Sequence, residues 1–207
     1  FSILISQRFG ASDWKGLNRA MAGAVLIAGI VGIALTITSL SLVHPVLVLL
    51  YTPADIMDGA LSYLHVMFSG CLAVMGYNVF AAILRAMGNS RTPLIAMVIA
   101  SLLNVVLDLL FVLGFHWGIA GAAGATVLAQ AVSCLICLFA VLRLPIPKME
   151  REDWRPSAPL YGQLLKLGAP LAFQNTIIAV GGMVVQSVVN GFGVLFVAGY
   201  TATNKLY

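Results

Sequence analysis

Five stretches of this chain are apolar over bilayer length: Ala20 to about Leu50, Gly59–Leu84, Pro93–Phe115, Ile119–Leu142 and Leu164–Asn190. Each meets the ~20 residues an α-helix needs to cross ~30 Å of hydrocarbon. In lipid no water satisfies a free backbone N–H or C=O, so runs of this length are confined to helices that bond internally. Composition agrees, with 61% of the 207 residues hydrophobic and 9% charged, against about 25% charged in soluble domains. The sequence therefore reads as an all-α membrane protein, a multi-helix transmembrane bundle with the lipid bilayer as its first partner. The net charge of +4 does not call for nucleic acid, because the basic residues sit in short loops between apolar runs, where they act as topology signals.

Those loops give the organisation. Phe1–Ser6 reads as the tail of one more span, and Gln7–Arg19 as a polar, basic loop. His44-Pro45 reads as the outer end of the next span or a break in it, since proline disrupts helix interiors. Tyr51–Asp58 reads as a turn in which Asp55 and Asp58 cap the following helix. Arg85–Thr92 is a tight basic loop, and His116–Gly118 a very short turn. Residues 144–160 hold prolines and mixed charges and read as a linker between two bundles, 1–143 and 161–207. Val194 onward reads as the start of a further helix carrying Lys205. Alternate loops carry all the basic residues from Arg8 to Lys166, while the opposite loops carry His44, Asp55, Asp58 and His116. That asymmetry places the basic side in the cytoplasm. With no initiator Met, the chain is expected to be an internal piece of a longer protein.

Polar groups within the spans are the candidate sites. Asp108 is the one charged residue between Thr92 and Phe115. A carboxylate at membrane depth costs roughly 2.5–3.5 kcal/mol on insertion scales and is functional by default. It lies about fifteen residues, or ~23 Å, from the cytoplasmic start of its helix, in the outer half of the bilayer. Asn104 stands four residues earlier on the same face, with Ser101 beside it. Thr126, Gln130 and Ser133 make a polar stripe on the next helix, and Asn175, Gly182, Gln186 and Asn190 another on the last. His65 lies mid-span. Cys134 and Cys137 have CxxC spacing, yet no third ligand lies near them in sequence, and they read as small packing residues. A hydrolase would need a nucleophile with its base, or metal ligands spaced as in HExxH, and neither occurs. The chain is expected not to be an enzyme.

The stretch AAILRAMGNSRTPLIAMVIASLLNVVLDLLFVLGFHWGIAGAAGATVLAQ resembles the multidrug and toxic compound extrusion (MATE) transporters. A basic loop ending in TP, an N…D helix and a G..GAA.AT…Q segment follow in the family's order, and ISQRFGA and LLKLGAPLAFQ resemble further landmarks. The resemblance implies two six-helix lobes around a cavity open to one side at a time, with this chain running from the end of helix 2 to the start of helix 8. It thus implies most of one lobe and the start of a second. It implies a cation site at Asp108, Asn104, Asn78 and Thr126, for H+ or for Na+, with no other cofactor. The acid that relatives carry on helix 1 falls outside the stretch this chain is expected to cover, and helix 7 offers Gln174, Asn175 and Gln186 but no carboxylate. Tyr77, Gln130, Gln174, Asn175 and Gln186 are the candidate substrate-lining residues. The expected function is export of small organic, often cationic, compounds in exchange for H+ or Na+, by a monomer in the bacterial inner membrane. The alternative is a lipid-linked oligosaccharide flippase of the same superfamily, which usually lines its cavity with basic residues; the visible spans carry almost none.

Overall fold

A computed structural model of the chain describes residues 2–49, 54–147, 150–154 and 158–190. These form α1 (Ser2–Gly10), α2 (Trp14–Leu49), α3 (Ala54–Ser69), α4 (Cys71–Ala86), α5 (Arg91–Asp108), a π-helical turn (Leu109–Gly114), α6 (Gly118–Leu142), a 3₁₀ turn (Arg151–Trp154) and α7 (Ala158–Asn190). Among the described residues, five helical segments have the length and apolarity to cross a membrane, which agrees with the five spans read from the sequence. The chain divides into two compact units, Phe1–Leu160 and Tyr161–Tyr207. In the second, α7 contains Pro170 within its length. Lys205 and the start of the last expected helix lie outside the described residues.

Several boundaries differ from the sequence reading. The expected loop Gln7–Arg19 shrinks to Ala11–Asp13, because the helices on either side project beyond the apolar run. Ser12 takes a left-handed backbone, φ 54°. Asp13 then accepts the Gly16 N–H at 3.0 Å and pairs with Arg8, so a polar residue opens α2 rather than a loop. Those bonds, the Gly16 N–H first and Arg8 second, hold the Asp13 carboxyl below its ordinary 3.8. The sign follows directly: a depressed pKa contributes order above the ordinary value and loses it as pH falls through the folded one. The protection of the Gly16 N–H against hydrogen exchange, relative to the intrinsic rate at each pH, should be high at neutral pH and fall below about pH 4. In Asp13→Ala that protection should be low at every pH.

At its other end α2 reaches Leu49, where the span was expected to finish, and Pro45 lies inside the helix rather than marking its outer end or a break. Its 36 residues give about 54 Å, more than the bilayer core requires. α3 begins at Ala54, before the expected Gly59. Asp58 is exposed, and the side chain of Asp55 lies outside the described residues. The span expected as one helix is α3 and α4, broken at Gly70. Val127 of α6 occupies the notch there, and a Cβ on Gly70 would stand 2.5 Å from its Cγ2.

α6 is the centre of the first unit and packs on α3, α4 and α5. Its buried residues include Gly121, Ala125, Ala129, Ser133, Cys137 and Val141, each four after the last. Such a ridge of small side chains lets neighbouring helices approach closely in lipid. Cys134 packs on α4, its Sγ 2.7 Å from where a Cβ of Gly76 would be. α5 and the π-helical turn after it carry their bulk on the other side: Leu94, Val98, Leu102, Val105, Val106, Leu109 and Leu113 are all at least half exposed, a face suited to lipid. The buried stripe of α5 runs through Pro93, Ala96 and Ala100.

The loop Arg85–Thr92 folds as the sequence suggests. Gly88, with φ 84°, donates to Arg85 O at 3.0 Å and Asn89 N–H to Leu84 O at 2.9 Å, a Schellman closure. The Asn89 side chain then accepts the Thr92 N–H at 3.1 Å to start α5. On the same side of the bundle, Asn18 donates to Pro147 O at 3.1 Å and Arg19 meets Asp153 at 3.8 Å. The start of α2 and the segment after α6 thus lie together, as an even number of crossings between them requires.

Candidate functional site

α5 and α6 are bridged inside the first unit by one side-chain hydrogen bond, from Asn104 Nδ2 to Thr126 Oγ1 at 3.3 Å. The Thr126 hydroxyl donates in turn to Ala122 O, 3.1 Å away and one turn back. Both residues line a cavity of about 150 Å³ together with Tyr77, Met97, Ala100, Ser101, Ala129, Gln130 and Ser133. Its polar lining is uncharged: hydroxyls and amides from three helices. Tyr77 OH reaches Pro93 O at 3.4 Å, and Ser133 Oγ donates to Gln130 O at 2.8 Å. A drug-sized ligand needs roughly 300–1,000 Å³, so a volume of about 150 Å³ suits an ion with its waters.

Asp108 is the last residue of α5, one turn beyond Asn104. Its Oδ1 is closed off from solvent and has no hydrogen-bond partner among the described residues. A buried oxygen left bare costs about 1–3 kcal/mol, and more when charged. Such an atom fits a proton or a metal cation as its missing partner. The carboxylate does not spend itself on Asn104, whose amide is turned to Thr126.

The other expected residues are placed differently. Asn78 is exposed and donates to Val74 O of its own helix at 2.8 Å, so the described geometry does not bring it to Asn104 and Thr126. Gln174 and Asn175 are exposed on α7 in the second unit, and the side chain of Gln186 lies outside the described residues. His65 is exposed, its Nδ1 2.7 Å from Leu61 O. Tyr77 and Gln130, read as substrate-lining, share the small cavity with Asn104 and Thr126. Sequence reasoning passed over the π-helical turn that starts directly after Asp108. The run LLFVLG contains no residue that announces one.

Bilayer-length helices packed around a small polar cavity define a multi-pass membrane protein. The comparisons give the family. The MatE family model matches residues 1–110. A probable multidrug resistance protein of Bacillus subtilis, YpnP, is 36% identical over 98% of this chain and 45% of its own length. A MOP superfamily transporter from Pyrococcus furiosus superposes with a TM-score of 0.89 at 26% identity, covering 99% of this chain and 46% of that one. A MATE crystal structure in the bent conformation gives 0.88 at 27%, over 99% and 46%. The chain belongs to the MATE family, and it spans about half the length of the curated relatives it matches.

Proposed function

We propose that the protein to which this chain contributes is a secondary active exporter of small organic, often cationic, compounds, driven by inward H+ or Na+ through alternating access. The observation that carries this reading is the bare, buried Oδ1 of Asp108 one turn from the Asn104–Thr126 bridge. A cation entering from outside takes that oxygen as its first partner. The carbonyl of Asn104 and the hydroxyl of Thr126 are hard oxygen donors of the kind that suit such an ion. Recruiting them loosens the one side-chain hydrogen bond that joins α5 to α6 among the described residues, and the lobe repacks. Asn78 joins only if its amide leaves Val74 O. The setting is the bacterial inner membrane, with the basic loops cytoplasmic and the protein monomeric. The test is transport of ethidium, a fluorescent organic cation, in vesicles carrying the full-length protein, with pH and sodium gradients imposed one at a time. Export should follow one gradient and vanish when it is collapsed. Export indifferent to both would end this reading.

A further inference from the structure

The segment directly after Asp108 winds as a π-helix from Leu109 to Gly114. π-Helical turns are rare and occur mostly as single turns, frequently at functional sites. Leu109–Leu113 contains neither Pro nor Gly, so its own sequence gives no reason to leave the α-helix. Tertiary contacts impose the wider turn. The Phe115 N–H reaches five residues back to Leu110 O at 2.9 Å, and the Trp117 N–H reaches Phe111 O at 2.9 Å. Phe111 is buried, with its ring centroid 5.0 Å from that of Trp117 and 6.0 Å from that of Phe115. Gly121 of α6 closes the wedge. A Cβ there would stand 2.9 Å from Trp117 Cβ, 3.1 Å from Phe111 Cβ and 3.3 Å from Phe111 O.

We propose that Gly121 and Phe111 are positioning residues: together they hold the π-helical turn that keeps the Asp108 carboxylate in its sheltered place. The proposal rests on the reading of Asp108 as the coupling acid. With Phe111 fixed in its notch, return of this turn to an α-helix shifts Asp108 by up to one residue step, at most about 100° around the axis. That rotation carries the carboxylate toward the exposed face of Val105, Val106 and Leu109, where no cation is caged. A methyl group at Gly121 would press first on Trp117 Cβ and next on Phe111 Cβ and O, and yielding at these contacts releases the turn. The contact therefore acts on the acid at a distance, through backbone register rather than through a bond.

The test is ethidium export by the full-length protein in vesicles, measured against rising concentration of the driving cation. Gly121→Ala should raise the half-saturating cation concentration about tenfold and leave the maximal rate within about twofold. Phe111→Leu keeps the Cβ and the carbonyl that the methyl meets, so the double variant should stay shifted at least as far as Gly121→Ala. Should Gly121→Ala fail to insert, Phe111→Leu alone decides, since it adds no bulk and should weaken cation dependence in the same direction. Unchanged half-saturation in the inserted variants overturns the proposal. If Asp108→Asn is inactive while these variants keep the parent's cation dependence, only this inference falls; if Asp108→Asn exports normally, the functional reading falls with it.

Discussion

Asp108→Asn should insert and fold as well as the parent and lose gradient-driven export, by at least about tenfold, the equivalent of 1.4 kcal/mol of lost coupling. The amide is nearly isosteric, so the local packing survives. It removes a charge whose burial costs roughly 2.5–3.5 kcal/mol on insertion scales, so yield in the membrane should hold or rise. What the amide cannot do is alternate between a proton or cation and a bare anion. Oδ1 has no protein partner to lose among the described residues, which separates this variant from one that breaks a structural hydrogen bond. A purely structural acid would give the opposite pair of results, lower yield with normal export per molecule. Quantitative blotting of membranes beside ethidium flux in the same vesicles distinguishes the two.

Much of the architecture was legible because bilayer length, absence of charge and loop asymmetry are strong one-dimensional signals. The basic hairpin at Gly88 and Asn89 was legible too, since a left-handed closure and a side-chain cap use residues that suit few other places. The ends of the helices were not. Lys15 and Arg19 resemble loop residues, yet they are the exposed side of a turn whose other side buries Leu17 and Asn18, and a hydropathy window averages the two. His44-Pro45 was expected to mark the outer end of a span or a break in it, and the helix runs through Pro45 without one. Of the polar positions, Asn104 and Thr126 meet because each lies on the inner stripe of its helix. Asn78 lies on an exposed face of α4, and its neighbours Tyr77 and Val79 do not reveal which way that face turns. The π-helical turn left no trace in the sequence, because Phe111, Trp117 and Gly121 meet only after α5 and α6 have packed.

Gly70 tests the packing rather than the chemistry. It separates α3 from α4, and in a chain with 20 glycines nothing in the sequence singles it out. Its place in the structure does. A Cβ there would meet Val127 Cγ2 at 2.5 Å, Cγ1 at 2.8 Å and Cβ at 3.1 Å, and Val127 is β-branched, with little freedom to turn away. Gly70→Ala should therefore cost about 1–3 kcal/mol, the usual range for overpacking. A better helix former at that site offsets it only in part, by up to ~1 kcal/mol. The deficit should appear as a lower unfolding midpoint in detergent and a lower yield. Val127→Ala removes the methyls that clash, so the double variant should recover most of the loss although Val127→Ala alone is itself destabilising. A double-mutant cycle reads the coupling directly. If the two losses merely add, α6 does not press into the α3–α4 break, and the close packing that brings Thr126, one residue before Val127, to Asn104 loses its support.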